Sequence, residues 1–572
     1  MSKPTVLDLF CGAGGFSEGF RQQGFAIVAG IDNYAPAIDT FNFNFGLDCR
    51  PCNILEFEIS IKRIEALPDT DVIVGSPPCV SFSSSNKSGK ADKLLGLKLT
   101  KIFLRVIAVK KHKPGSKLRA WFMENVIKST IHLRKQYNFE QLGLKKWALQ
   151  QGLEPKAVAI SLEDNRSVIN SAEYGVPQAR FRVFTGEIVK RKGYVIPTRT
   201  HRASSEDSSL PTYVTLGHIR GRLPNPNSKE SAKTLSDPLY PSIKLRRMSL
   251  TDQFYDTGLY ASDWKGSEFL KTNHPYMGRM SFPEREDRPS RTVTATRIVK
   301  SREAIIFRSE RGRTGNGEYR TLTIREAATL MGFPTTFQFL GSEGIKRTLV
   351  GNAVCPPVSR AFAKAVRHEY GLEEIVQPCV IESVNGLENV PNLNTFRVKR
   401  FDNPPRRNQG SRFRRHPFKD GYLTVTLSNY DIRRNGQYQG KWSTSVQYGT
   451  GDGFPIQAFR DGYFRQLEPI ILEFEGGPRF IDTINNGFSK KVASAETLQD
   501  MYEAQQSRDE YLEPVELVDT IGKLIEAIRM KEPNFEQKGE KKVFKKNVVP
   551  KKQVMALYAI NKICSIANGE RQ

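Results

Sequence analysis

Apolar and polar positions along the first 190 residues switch between two periods. Short apolar runs at 5–9, 26–31, 71–74, 119–123 and 181–186 read as strands. Between them, apolar residues recur at helical spacing over 16–23, 34–44 and 93–111. Strands alternating with helices predict a mostly parallel α/β sheet with helices on both faces. From about 190 to 288 the alternation fades into stretches such as RTHRASSEDSSLPTY and YPSIKLRRMSLTDQFYD, which predict a small, irregular, separate domain. Regular patterning resumes near Arg291. Thr323-Ile-Arg-Glu326 has the spacing of a capping box, ahead of a helix expected to stop at Gly332 and Pro334.

Beyond 375 the pattern changes again. Residues 376–420 read as a linker with a basic arm, FRVKRFDNPPRRNQGSRFRRHPFK. GYLTVTLSNY and KWSTSVQYG then alternate with period 2, so a β-rich unit is expected. From about 496 the chain turns helical and lysine-rich, with KGEKKVFKKNVVPKK as a charged patch. The expected division is 1–190 with 289–375 as one large domain, 191–288 as a small one, 376–420 as linker, and 421–572 as an α+β extension.

Charge narrows the class of partner. The chain carries 86 Lys and Arg against 61 Asp and Glu, a formal net charge of +25. About +19 of this lies in residues 1–375 and about +6 beyond, so the N-terminal part is the better polyanion binder. Nucleic acid is the simplest such partner, and a generally basic, solvated surface is the bland alternative. The seven cysteines are scattered and odd in number, which fits reduced thiols. Cys49-x-x-Cys52 has half of a zinc-ligand spacing but no second pair nearby, so no metal site is expected. No apolar run reaches the roughly eighteen residues of a spanning helix. The start, MSKPTVLDLFCGAGG, lacks a signal-peptide apolar region, and a soluble, intracellular protein is expected.

Candidate chemistry clusters where strands end. In VLDLFCGAGGFSEGF a strand runs into Gly12, Gly14 and Gly15 and then into a helix. Glycines there allow a tight turn and close approach to a ligand. The next strand ends at Asp32, whose carboxylate can accept from both ribose hydroxyls. The turn lacks the Gly-Lys-Ser/Thr ending of a triphosphate loop and the GxGxxG spacing of a pyrophosphate binder. A nucleoside cofactor without phosphates, such as S-adenosylmethionine, fits better than either. Cys79 follows Pro77 and Pro78 at the end of another strand, on stiff backbone at the sheet's carboxyl edge. A buried spacer thiol would seldom sit between Pro-Pro and a serine-rich loop. Glu124 ends the strand Trp121-Phe-Met and, taken alone, reads more simply as a cap for the next helix. Gln178-Ala-Arg180-Phe-Arg182 alternates, which would aim three polar side chains to one face, as on a solvated edge strand. Gly351-Asn352-Ala-Val precedes Cys-Pro-Pro and a helix.

Taken together, in this order and with Arg291-Thr-Val-Thr294, these six motifs over about residues 4–370 resemble the cytosine-5 DNA methyltransferases. The resemblance implies a Rossmann-like methyltransferase domain built from both ends of that region, with a target-recognition domain at 191–288. It implies S-adenosylmethionine as cofactor, without a metal, held by Phe10, Gly12, Gly14, Asp32, Pro78 and Asn352. The usual acidic contact to the adenine amine would be replaced by Asn53. Cys79 would add to C6 of a cytosine flipped from double-stranded DNA, making C5 nucleophilic. Glu124 would serve N3, Arg182 would bond O2, and Arg180 would hold Glu124 and the loop. Ser83, Lys87, Gln178 and Thr294 would contact DNA. Val80 stands where the family often has glutamine, which puts one loop contact to DNA in doubt. The resemblance further implies a monomeric bacterial enzyme in the cytoplasm, at the nucleoid, protecting host DNA beside a restriction endonuclease. Two alternatives are a tRNA-directed relative, whose Cys-Phe-Thr this chain lacks, and a catalytically silent DNA-binding protein. For 421–572, Glu536-Gln-Lys538 faintly resembles a nuclease motif, but an auxiliary DNA-contacting or partner-binding module is the simpler expectation.

Overall fold

The computed structural model describes residues 3–78, 93–191, 194–207, 209–227, 234–273, 278–296, 298–382, 399–403, 406–407, 414–429, 440–449, 454–508, 510–537 and 542–569. The chain divides into two compact units, Met1–Arg400 and Phe401–Gln572.

The first unit is organised by a six-stranded sheet. Strand β1 (Thr5–Leu9) pairs in parallel with β2 (Ala26–Ile31) on one side and β3 (Val72–Gly75) on the other, and β3 pairs in parallel with β4 (Ala120–Asn125). Phe181–Ile188 then runs antiparallel to β4, and Arg166–Asn170 antiparallel to it at the edge. The sheet is thus parallel through its first four strands and antiparallel through the last two. The period-2 rule explains its two cores. Val6, Val74 and Phe122 face one layer, against Phe16 and Phe20 of helix α1 (Gly15–Gln22) and Val358 and Phe362 of the Pro356–Glu369 helix. Leu7, Leu9, Ile73 and Trp121 face the other, against Phe103, Leu104 and Ile107 of the Lys93–His112 helix.

Two ends of the unit's sequence therefore build one layer. A Cβ on Gly19 would lie 2.4 Å from the Pro356 carbonyl oxygen and the Arg360 nitrogen, so α1 and the later helix touch at backbone distance. The Ser359 hydroxyl donates to the Phe16 carbonyl, 343 residues away, and Asn44 and Gln338 exchange hydrogen bonds at 2.8 and 2.9 Å.

The stretch expected as a separate domain at 191–288 is not set apart as a whole. Leu216, Ile219, Tyr240, Ile243, Leu245 and Leu250 sit in the same core as Val6 and Phe16. What pulls them in is polar as well as apolar. The buried Asp237 carboxylate accepts from the Thr335 nitrogen, and Tyr240 donates to the Gly332 carbonyl. The satellite core is smaller and later, around Leu259, Trp264, Ile306 and Tyr319. The capping box is formed as the spacing predicts, with Thr323 and Glu326 each bonding the other's backbone at the head of Ile324–Leu330.

The second unit holds a four-stranded antiparallel meander, Arg415–Asp420, Leu423–Ser428, Ser443–Tyr448 and Ile456–Phe459. Its first strand lies inside the stretch expected as linker. The Lys551–Ala567 helix packs across the sheet, with Val554, Leu557 and Ile560 fully buried. Arg406 of the basic arm and Arg508 both pair with Asp500, and Arg407 lies 4.3 Å from the Tyr502 ring centre.

Candidate active site

The parallel strands bring the candidate residues to one edge of the sheet, at their carboxyl ends. β1 delivers Phe10 and the glycine turn, β2 delivers Asp32, β3 delivers Ser76 and Pro78, and β4 delivers Glu124. Phe181–Ile188, being antiparallel, starts at that same edge and brings Arg182 to it.

The turn after β1 is shaped for close approach. Phe10 and Gly12 adopt φ of 57° and 51°, a region that favours glycine. A Cβ on Gly12 would meet nothing within 4 Å, whereas on Gly14 it would strike the Phe45 ring and on Gly15 the Val354 carbonyl. The turn is therefore packed from behind and open at Gly12. The Gly12 nitrogen donates to Oδ2 of Asp32 at 3.0 Å, and the Tyr34 nitrogen donates to Oδ1 at 2.9 Å. Burial pushes the Asp32 carboxyl up, and those backbone donors pull it back. Behind the turn lies Asp8, 1% exposed, with Oδ2 accepting from the Ser17 hydroxyl at 2.7 Å and Oδ1 unpartnered. Burial pushes its carboxyl up to about 7, against the lowering effect of Ser17. Asn53 is exposed at an Asx turn, its Oδ1 accepting from the Leu55 nitrogen, and Pro78 and Asn352 are exposed.

Glu124 is the centre of the second cluster. It is 4% exposed, its Oε2 accepts from the Ser76 hydroxyl at 2.8 Å, and its Oε1 lies 3.1 Å from Nε of Arg182. The Nε–H is not aligned into a hydrogen bond, so the contact is an ion pair without that bond's directionality. Arg182 also donates from Nη1 to the Phe181 carbonyl at 2.8 Å. Sequence reading missed Ser76. Its signal was the register: Gly75 faces Met123, which places Ser76 beside Glu124.

Gln178 and Arg180 turn into the protein. Both precede the strand that begins at Phe181, yet they are buried while Ala179 is half-buried and Phe181 exposed, so the alternation extends back to them and their shared face is the inner one, not a solvated edge. Gln178 is fully buried. Its amide donates to the Leu330 carbonyl and its Oε1 accepts from the Val293 nitrogen. Arg180 is 3% exposed and donates to the carbonyls of Val293, Gly351 and Ala353. It ties three of the sequence motifs together. A Cβ on Gly351 would fall 2.3 Å from the Ala295 nitrogen, which accounts for glycine there. Thr294 is half-buried and donates to the Thr296 carbonyl at 3.1 Å. Cys79, Val80, Ser83 and Lys87 lie outside the described residues. Among the described residues no group of three His, Cys, Asp or Glu side chains could hold a metal, and no helix is long and apolar enough to cross a membrane.

Comparison with known proteins agrees with the motif order. The family model described as C-5 cytosine-specific DNA methylase matches residues 4–368. Type II methyltransferase M.HgiDI of Herpetosiphon aurantiacus is 27% identical over 364 residues, covering 62% of this chain and 91% of that protein. Type II methyltransferase M.NgoFVII of Neisseria gonorrhoeae is 30% identical over 389 residues, covering 64% and 87%. The crystal structure of S. pombe Dnmt2 methyltransferase aligns with a TM-score of 0.41 at 16% identity, over 65% of this chain and 100% of that one.

Proposed function

The chain belongs to the C-5 cytosine-specific DNA methylase family, and on that premise we propose that it methylates C5 of a cytosine within a specific double-stranded DNA sequence, using S-adenosylmethionine and a covalent bond from Cys79. The observation that carries this reading is the pairing of two clusters at one sheet edge. One is an open glycine turn beside a carboxylate, and the other is a buried Glu124 between Ser76 and Arg182.

The residues of the first cluster fit the cofactor. The open side of Gly12 leaves room for a ligand, and Asp32 retains lone pairs for ribose hydroxyls beyond its two backbone donors. Phe10, Gly14, Pro78, Asn53 and Asn352 would complete the site. Bound there, S-adenosylmethionine supplies an electrophilic methyl group. The remaining work belongs to the chain. The Cys79 thiolate adds to C6 and sends electron density to C5. Glu124 donates a proton or hydrogen bond at N3 as negative charge grows there, with Ser76 and Arg182 fixing its carboxyl. Arg182 serves O2. Arg180 and Gln178 act as positioning residues that lock the strands behind the base. Loss of the C5 proton and departure of the thiolate restore the ring.

Target choice falls, on this reading, to the 191–288 stretch with the satellite core around Trp264 and Tyr319, and to Thr294, Ser83 and Lys87 at the DNA. The relatives' Type II names support a protective role beside a cognate restriction endonuclease in a bacterial cytoplasm. Incubating the chain with duplex DNA and labelled S-adenosylmethionine tests the central claim. Label is expected in DNA cytosine and is expected to vanish with Cys79→Ala while cofactor binding persists. Label entering tRNA alone, or transfer surviving Cys79→Ala, overturns it.

A further inference from the structure

The second unit lies outside the matched family region, and its most distinctive sequence is Lys541-Lys-Val-Phe-Lys-Lys-Asn-Val-Val-Pro-Lys-Lys552, six lysines in twelve residues with no acid. The described part of this stretch is a built loop. It closes a short hairpin between Asn534–Glu536 and Val548–Pro550. Gln537 staples it from within: Oε1 accepts from the nitrogens of Val543 and Phe544 at 2.8 and 3.0 Å, and Nε2 donates to the carbonyls of Phe544 and Lys546. Phe544, 1% exposed, plugs the loop into the unit's core. Gln457 donates to the Val543 carbonyl and the Lys545 nitrogen donates to the Tyr448 hydroxyl, so the meander holds the loop from outside.

With the backbone fixed this way, Lys542, Lys545 and Lys546 are exposed. Lys542 bonds only a neutral partner, Asn547 Oδ1, and among the described residues no carboxylate lies within ion-pair distance of the three. The contrast within the unit is direct, since Arg406 and Arg508 both meet Asp500. Holding like charges together on a stapled loop costs Coulomb energy that a polyanion would offset. We propose that this loop binds the phosphate backbone of duplex DNA, giving the second unit a sequence-independent grip on the substrate of the first. Lysine ammonium groups suit phosphate as point charges, and the loop sequence contains no arginine, whose planar fork reads guanine edges. The identity of the polyanion rests on the reading of the first unit as a DNA enzyme.

The full-length chain with Lys542, Lys545 and Lys546 all changed to Gln tests the loop. Affinity for a duplex lacking any methylation target is measured across a salt series. Each lost phosphate contact flattens the dependence of log K on log salt by about 0.9, so a slope shallower by about two to three is expected, with a loss of about tenfold or more at low salt. The corresponding Lys→Arg triple keeps the charge and is expected to keep the parental slope. An unchanged slope in the Gln variant, or an equal loss in the Arg variant, overturns the proposal. So does a Gln variant that loses binding to phosphatidylglycerol vesicles but not to DNA, which would assign the loop to a membrane. Methyl transfer by the parent chain is scored separately. A chain that methylates DNA with a slope indifferent to the lysines overturns the loop's role alone. A chain that binds through the lysines and methylates nothing overturns only the reading of the first unit.

Discussion

At Glu124 the neighbours divide the labour of one carboxyl group. Ser76 fixes one oxygen and Arg182 faces the other, so Glu124→Gln is expected to keep its place while losing the acid–base capacity that the proposed mechanism asks of this carboxyl. Single-turnover methyl transfer by Glu124→Gln is expected to fall by about 10²–10³, with the cofactor dissociation constant unchanged. Asp8 makes the opposite trade. Its buried carboxyl titrates at about 7 instead of the ordinary 3.8. Between about pH 4 and 7 the folded chain holds a proton that the unfolded chain has released, so stability falls as pH rises through that window and levels off above it. Asp8→Asn removes the slope. It is expected to raise the first unit's thermal midpoint at pH 8, by the equivalent of about 2–4 kcal/mol, with the gain shrinking to nothing near pH 4. Calorimetry across that range checks it, and a pH-independent difference would contradict it. Asp8 was unreadable as a titrating group from sequence, because its burial depends on the later helices that cover its layer.

At the scale of elements, glycines separate packing from ligand approach. Gly19→Ala would drive a methyl group into the backbone of the Pro356–Glu369 helix. A loss of about 2–4 kcal/mol is expected, with cofactor affinity per folded molecule nearly intact. Gly12→Ala meets no atom, and its positive φ costs about 1 kcal/mol. Its main effect is expected on cofactor binding, by tenfold or more in titration calorimetry. A reversal of these two outcomes would mean that the turn is structural only. The strands β1–β4 were legible in the sequence because each is a local apolar run with its period intact. The edge strand Arg166–Asn170 was not, since its polar, half-exposed residues carry little period-2 signal. Gln178 and Arg180 alternate with Ala179 and Phe181 as the sequence suggests, but period 2 alone does not tell which of the two faces is buried. The 216–250 stretch hid its membership of the main core because Asp237 and Tyr240 find their partners about 90 to 100 residues later, at Thr335 and Gly332.

At the scale of the whole molecule, each unit carries its own core. Residues 401–572 expressed alone are expected to unfold in one cooperative transition, since the meander and the Lys551–Ala567 helix bury a continuous apolar cluster. Residues 1–400 are expected to retain methyl transfer, read by the same label assay. A broad, non-cooperative melt of the isolated C-terminal piece would contradict the division. Sequence placed the α+β character of this piece correctly but began it late, because Arg415–Asp420 looks like part of a basic arm until it is paired. The contact between Phe16 and Ser359 has a consequence in time. At about 5–20 residues per second of synthesis, the first helix waits roughly 15–70 s for the helix that covers it. Until then Phe16, Phe20 and Phe122 have no lasting shelter, and a chaperone that holds nascent apolar surface would find its window there. A transcript that stops short of codon 356 yields the first helix and its sheet without the helix that covers their core.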